Sequence, residues 1–395
     1  MVQPVSRRSF MVGAMTAASA LRIVGANDRI RLGIIGSGQH GQYLMKNVNE
    51  IGNVDWVAVC DVWDQRRAQA ERIAGRKLPG CVDYRDLLDR KDMDGVIVAT
   101  FDHMHAEITA YAVRTGKDVY VEKPMTSLPM QGHDVVRATQ EAKRIVQVGL
   151  NLRSTPNFVE AKKRFFDSGL IGRVTMVRTL YNANSGYLTP VPARMERKPD
   201  GLDWEKCLGW LPKIPWDAKR YFNRFAYWDF STGGQTGGLF VHMVDIAHWF
   251  LGINRPAAAV AAGGIYLHDD GRDTPDTINL ALEYPEKLNI TFEATLPNTI
   301  RAGSSDMVFT GTGGRLSIWT YGYRFVPVHG DTPILQVGSD TPRHFHLEEW
   351  LECMRSRRQP VADVVCGHYS ALACHLGNLA YKEKRRVTWQ IEWKV

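Results

Sequence analysis

Metal-binding and nucleophile signatures are missing from this chain. No pair among its six cysteines (60, 81, 207, 353, 366 and 374) has C-x-x-C spacing, and no Cys/His cluster has zinc spacing. H-E-x-x-H and G-x-S-x-G are absent as well, which sets zinc-hydrolase and serine-nucleophile chemistry aside. Cys60 closes an apolar run expected to be a core strand, so the thiols read as mostly buried and free rather than as a disulfide framework. Beyond the first 26 residues no apolar run is long enough to cross a bilayer. There are no internal repeats or low-complexity tracts, and no basic–aromatic cluster suggests a nucleic acid partner.

What remains is ordinary globular composition. With 395 residues, 44% hydrophobic and 23% charged, the chain has room for two domains. Residues 1–26 read as an export leader: Ser6-Arg7-Arg8-Ser9-Phe10-Met11 has a twin-arginine pattern, a mildly apolar run follows, and Val24-Gly25-Ala26 offers a cleavage point. The leader holds Arg7, Arg8 and Arg22 and no acid, so its removal takes the net charge from +7 to +4. That reading places the mature protein in the periplasm or otherwise outside the cytoplasm, with no stable membrane insertion.

The chain is organised around residues 30–41. An apolar strand over 31–35 runs into Gly36, Gly38 and Gly41, spaced G-x-G-x-x-G, and a helix over 39–51 closes at Gly52. Gly36 permits a tight turn, Gly38 lets the backbone approach a pyrophosphate, and Gly41 lets the helix sit close on the strand. Phosphates would lie over the free N–H groups and positive dipole end of that helix. A second strand over 54–60 ends at Asp61, twenty residues past the last motif glycine, where an acid can hold the two ribose hydroxyls of NAD. Arg66 and Arg67 lie close enough to keep NADP open. From 27 to 150 strands and helices alternate, which predicts a doubly wound parallel α/β sheet, a Rossmann domain. Its ligands should sit beyond the strand ends that carry Gly36, Asp61, Thr100 and Glu122-Lys123-Pro124. After Gly149 strands follow one another with few helices between, which predicts a second α/β domain over 151–395 with an open, largely antiparallel sheet. Residues 186–236, rich in Pro, Trp, Tyr and Arg, read as a long ordered loop over a site.

Two groups carry candidate chemistry. Lys123 directly follows a strand, and a lysine there points into the cleft, where desolvation can lower its pKa toward acid–base use. Residues 237–252 read as one helix with Leu239, Met243, Ile246 and Phe250 on one face, while His242 and Asp245, at i and i+3, share another. There the carboxylate could orient the imidazole.

Together these residues resemble the Gfo/Idh/MocA oxidoreductases, named for glucose–fructose oxidoreductase and inositol dehydrogenase. The resemblance rests on Gly36-Ser-Gly-Gln-His-Gly41, Asp61, 96–100, Val121-Glu-Lys-Pro124, Gln147-Val-Gly-Leu-Asn-Leu-Arg153, Ser168-Gly-Leu-Ile-Gly172, the His242 helix and Cys374-His-Leu-Gly-Asn378, and covers roughly 28–390. It implies hydride transfer between a sugar carbon and a nicotinamide, with Lys123 and His242 lining the sugar site, and a homo-oligomer, dimer or tetramer. Gly36, Gly38, Gln39, His40, Gly41, Asp61, Thr100, His105, Glu122 and Lys123 are the expected cofactor contacts. By position and chemistry, Arg153, Tyr181, Arg224 and Tyr227 are expected to hold the sugar. Two positions depart from the family's pattern. Gly238 stands four residues before His242, where an acid is common, so Asp245, Asp229 or the substrate itself is expected to take its place. Phe101 follows Thr100 where proline is frequent. The resulting expectation is an exported NAD(P)-dependent oxidoreductase acting on a secondary alcohol of a sugar or glycoside with a tightly bound, recycled cofactor. A redox-neutral NAD-dependent glycoside hydrolase or lyase, and a non-catalytic sugar-binding protein, are the alternatives.

Overall fold

A computed structural model describes residues 29–182, 191–296, 306–330, 333–338 and 344–395. The leader lies outside them.

The first six strands are β1 (Ile30–Ile35), β2 (Val54–Cys60), β3 (Gly80–Cys81), β4 (Gly95–Val98), β5 (Asp118–Val121) and β6 (Val146–Val148), and every pairing among them is parallel. Their order is β3-β2-β1-β4-β5-β6, so the sheet reverses direction between β1 and β4. That reversal opens a crevice at the carboxyl ends of the strands. The central strands are continuous apolar runs, such as Gly95-Val-Ile-Val98, because helices cover both faces. Helix α1 (Gln39–Ile51) buries Leu44, Met45 and Val48 against one face, and α2 (Asp102–Arg114) lies against the other with Ile108, Ala112 and Val113.

The second sheet is built, among the described residues, from β7 (Val174–Asn182), β8 (Ala258–Gly264), β9 (Thr277–Tyr284), β10 (Leu288–Thr295), β11 (Asp306–Gly311), β12 (Gly314–Trp319), β13 (Gly322–Pro327), β14 (Ile334–Val337) and β15 (Val387–Thr388), in the order β14-β13-β12-β11-β7-β10-β9-β8-β15. Only β7 and β10 pair in parallel; the rest is antiparallel. Burial alternates along β9 and β10, as a sheet covered on one face requires. Helices Val241–Leu251 and Val364–Glu383 cover that face, and the opposite one exposes residues such as Met176 and Val260. Helix Phe345–Ser356, inside the expected 151–395 domain, instead packs Leu347, Trp350 and Leu351 against Leu32, Ile34 and Met45 beneath the first sheet. The two sheets are therefore stitched by the end of the chain.

Several elements differ from expectation. Helix Gln131–Ala142 and strands Gly322–Pro327, Ile334–Val337 and Val387–Thr388 were not anticipated. The two-residue Val387–Thr388 strand exists only by pairing with Ala258 and Ala259, which no local pattern announces. The stretch expected as a single helix from 237 begins as a wider π turn over Thr236–Phe240 and becomes α-helical at Val241. Such turns displace side chains from regular helical register and concentrate at functional sites.

Candidate active site

A cleft of about 1290 Å³ runs along the carboxyl ends of the first sheet and under the loop that follows residue 190. Its floor tests the roles of the three glycines. Gly36 has φ +86°, and a Cβ there would lie 2.5 Å from the Ala99 carbonyl oxygen. A Cβ on Gly41 would stand 2.1 Å from the carbonyl oxygen of Gly36, whereas one on Gly38 would meet nothing within 4 Å. The turn and the close packing therefore demand glycine, and Gly38 faces open space where a phosphate can approach. No side chain caps the start of α1, so its first N–H groups are free for an anion.

Asp61 lies at the far end of this floor. Its carboxylate accepts hydrogen bonds from Ser37 N (2.7 Å) and Trp63 N (3.0 Å). Burial raises its pKa, and those bonds together with nearby Arg66 oppose the rise. Arg66 lines the same region with its guanidinium 5.4 Å from the Trp63 ring, while Arg67 donates to the Asp61 carbonyl. Gln39, His40, Thr100, His105 and Glu122 line the cleft as expected. His105 bridges the carbonyls of Pro124 (2.8 Å) and Thr100 (3.2 Å), tying the loops after β4 and β5 together. His40 contacts Glu122 at 2.9 Å. Burial alone would push the Glu122 carboxyl up, but His40, Lys123 and His105 outweigh it and hold the pKa at about 2.

Lys123 follows, and its Nζ donates to the carbonyl of Gly238 at 2.8 Å. That contact joins the two domains across the cleft. Burial lowers the pKa of Lys123; Glu122 opposes the shift and Arg224 adds to it. His242 is half-buried nearby, its Nδ1 without a hydrogen-bond partner among the described residues. Burial, reinforced by the charge of Lys123, drops its pKa to about 3, so the imidazole is neutral.

Several expected substrate residues are placed elsewhere. Arg153 and Asp245 form a buried bidentate pair, with Nε and Nη2 each 2.8 Å from a carboxylate oxygen, and Ser370 also donates to Asp245. Asp245 therefore faces Arg153, not His242, because the i+3 residue of this helix points into the seam with helix Val364–Glu383. Asp229 is 3.3 Å from Arg220, and Tyr227 is buried under the same arginine. Neither stands in for the acid missing at Gly238. Tyr181 packs on the main core from β7. Of the expected sugar-holding residues, only Arg224 lines the cleft.

From residue 191 on, the cover expected over 186–236 lies over the cleft as a strap, held by anchors that the sequence did not announce. Leu202 bridges to Trp63, Asp203 N donates to Val62 O (2.8 Å), and Lys206 pairs with Asp83 (2.6 Å). Trp210 Nε1 donates to the carbonyl of His103 (2.7 Å). Beneath it Trp63, Leu202, Trp204, Leu208, Leu211 and Phe230 form a separate apolar core, with Phe101 packed edge-on to Tyr221 and Phe230. The aromatic density of 186–236 signalled a cover, but not which residues reach the first domain.

Residues 30–150 match the model of the oxidoreductase family with an NAD-binding Rossmann fold, GFO_IDH_MocA. The first domain is thus similar to the NAD-binding domain of that family. The chain is 33% identical to inositol 2-dehydrogenase of Salmonella typhimurium over 166 residues, 41% of this chain and 49% of that one. It is 30% identical to inositol 2-dehydrogenase/D-chiro-inositol 3-dehydrogenase of Lactiplantibacillus plantarum over 37% of this chain and 42% of that one. The chain thus spans about half the length of the curated relatives it matches. Across both domains the fold is that of levoglucosan dehydrogenase, solved with NADH and levoglucosan (TM-score 0.73, 16% identity, 91% of this chain and 99% of that one). An oxidoreductase domain protein from Kribbella flavida is similar too (TM-score 0.74, 18% identity, 91% and 99%). The NAD-binding assignment of the first domain agrees with its glycine geometry.

Proposed function

We propose that this protein is an NAD-dependent oxidoreductase acting on a secondary alcohol of a sugar or glycoside. The observation that carries the reading is Lys123, half-buried in the lining of the cleft, anchored on Gly238 and close enough to the neutral imidazole of His242 for its charge to act on it. Bound NAD supplies the hydride acceptor. Lys123 and His242 supply what hydride loss needs from the protein: groups able to take the hydroxyl proton, one with a lowered pKa and one uncharged. The names of the relatives, inositol and levoglucosan dehydrogenases, support a polyol or sugar substrate.

The strap favours a second element, a cofactor retained through the cycle. Retention suits the twin-arginine reading of Arg7 and Arg8, which would take the folded protein to a compartment without free NAD. It also keeps open a redox-neutral glycosidase in which oxidation, elimination and re-reduction occur on one bound dinucleotide. In this reading the protein works outside the cytoplasm, and the open face of the nine-stranded sheet supports a dimer or tetramer. The experiment is to desalt the purified protein, quantify bound dinucleotide, and assay a p-nitrophenyl glycoside panel without added NAD. A ketosugar with NADH supports a dehydrogenase, and nitrophenol without net NADH supports the redox-neutral route. Empty protein that turns over only with added NAD overturns cofactor retention, and absence of both products even with added NAD overturns the oxidoreductase reading.

A further inference from the structure

We propose that the substrate of this cleft is an acidic sugar, a uronic acid or uronide, whose carboxylate docks on Arg224 while Lys123 addresses the reacting hydroxyl. The inference rests on the oxidoreductase reading and narrows its substrate class.

The argument begins with charge matching at the lysine end. Glu122 is 7% exposed and committed to His40 at 2.9 Å and to the backbone N–H of Lys123. Asp102, the other carboxylate that influences Lys123, is 1% exposed and accepts from Thr232 N at 3.0 Å. Arg153 and Arg220 have their own carboxylates in Asp245 and Asp229. Arg224 differs. It lines the cleft, yet its Nε is buried without a hydrogen-bond partner among the described residues. Desolvating part of a guanidinium without a partner is costly, and a carboxylate offering two oxygens to its planar edge is the matching ligand.

The guanidinium is also held ready. Its Cζ lies 4.2 Å from the centroid of the Phe225 ring, a cation–π contact that fixes its position without supplying a counter-charge. The backbone beneath is fixed, since the Phe225 carbonyl accepts from Thr274 Oγ1 (2.9 Å) and the Ala226 carbonyl from Asp273 N (2.9 Å). Phe225 in turn fills the space a side chain at 238 would need: a Cβ there would come within 3.1 Å of its ring. An aromatic ring and a cation thus line the cleft together with Lys123, and Arg224 acts on the charge of that lysine. The cofactor phosphates have a separate seat at Gly38 and the start of α1, so Arg224 is not required for them.

The test is calorimetric titration of the NADH-loaded protein with methyl glucuronide, galacturonide and mannuronide and with the three matching neutral methyl glycosides. At least one uronide should bind about ten- to a hundredfold more tightly than its neutral counterpart, the scale of a charge-assisted pair. Arg224→Gln should erase that preference with NADH affinity unchanged, and Arg224→Lys should restore part of it. Equal binding of acidic and neutral sugars, or no binding by any, overturns the proposal. So does an Arg224→Gln protein that loses NADH affinity but keeps the sugar preference. Glucose 6-phosphate binding more tightly than every uronide would also overturn it, in favour of a phosphosugar. NADH formation is read separately: oxidation of neutral sugars alone sinks the acidic class and leaves the dehydrogenase standing. Uronide binding without any redox product does the reverse.

Discussion

At the ribose end of the cleft, Gly36, Gly38, Gly41 and Asp61 belong to one strand–helix–strand unit. At the other end Lys123 reaches Gly238, 115 residues away, and Arg224 and Phe225 arrive from a third segment. The cofactor end is therefore a local structure, whose geometry follows from glycines that only one backbone path accommodates. The lysine end is assembled by docking the second domain and the strap against the first. The difference teaches that binding a common cofactor and choosing a substrate are separable here, because different parts of the chain build them.

Perturbations sharpen that comparison, beginning with the largest. Arg153→Ala strips the partner from Asp245 in the seam of the second domain, and should destabilise the protein by about 3–5 kcal/mol, as breaking a buried ion pair does. Chemical denaturation measures it. If the folded fraction instead kept full stability but lost sugar binding, Arg153 would return to the site. Next, Lys123→Met should lower turnover by about a hundredfold or more, roughly 2.7 kcal/mol of barrier, with NADH binding nearly intact. Weakened NADH binding with normal turnover would erase the distinction between the two ends. Gly41→Ala attacks the opposite end: its Cβ overlaps the Gly36 carbonyl, so a loss of about 1–3 kcal/mol in stability and a weaker NADH complex should appear together in thermal melts and fluorescence titration.

A smaller effect is expected at Asp61. Its replacement by alanine should weaken NADH by about tenfold and narrow the preference over NADPH, because the ribose loses its acceptor while Arg66 remains. NADPH binding as tightly as NADH in the unaltered protein would sink that assignment. The pH profile is subtler still. In the proposed alcohol oxidation Lys123 takes the hydroxyl proton and must be unprotonated, so the rate should rise with pH through its pKa, which burial has lowered from the ordinary 10.5. His242 is already neutral above about pH 3 and should contribute no limb between pH 5 and 9. A histidine limb near neutrality in kcat/KM would show that His242 is charged in the working enzyme.

Much of this was legible beforehand, for a physical reason. The Rossmann strands are short apolar runs of β-branched residues between helices with apolar stripes, and the strand expected at 54–60 and the helix expected at 39–51 match those observed. The glycine spacing carries its own backbone requirement and so announces the dinucleotide site. The partner of Asp245 was misjudged because i, i+3 spacing states which residues share a helix face, not what that face meets. Here it meets Arg153 and Ser370. The same limit hid where the strap is anchored. Phe101 looks like a departure from a pattern until Tyr221 and Phe230 are seen packing on it.

The sequence by itself determined the parallel first domain, its NAD-binding turn, the acid at the end of β2 and the lysine after β5, since each depends on neighbours a few residues away. Tertiary structure alone decided that Gly238 offers Lys123 a carbonyl, that Arg153 and Asp245 neutralise each other, and that Arg224 lines the same cleft as the lysine without a counter-ion among the described residues. Those outcomes depend on which distant surfaces come into contact, and burial then determines which charges must find partners and which are left for a ligand.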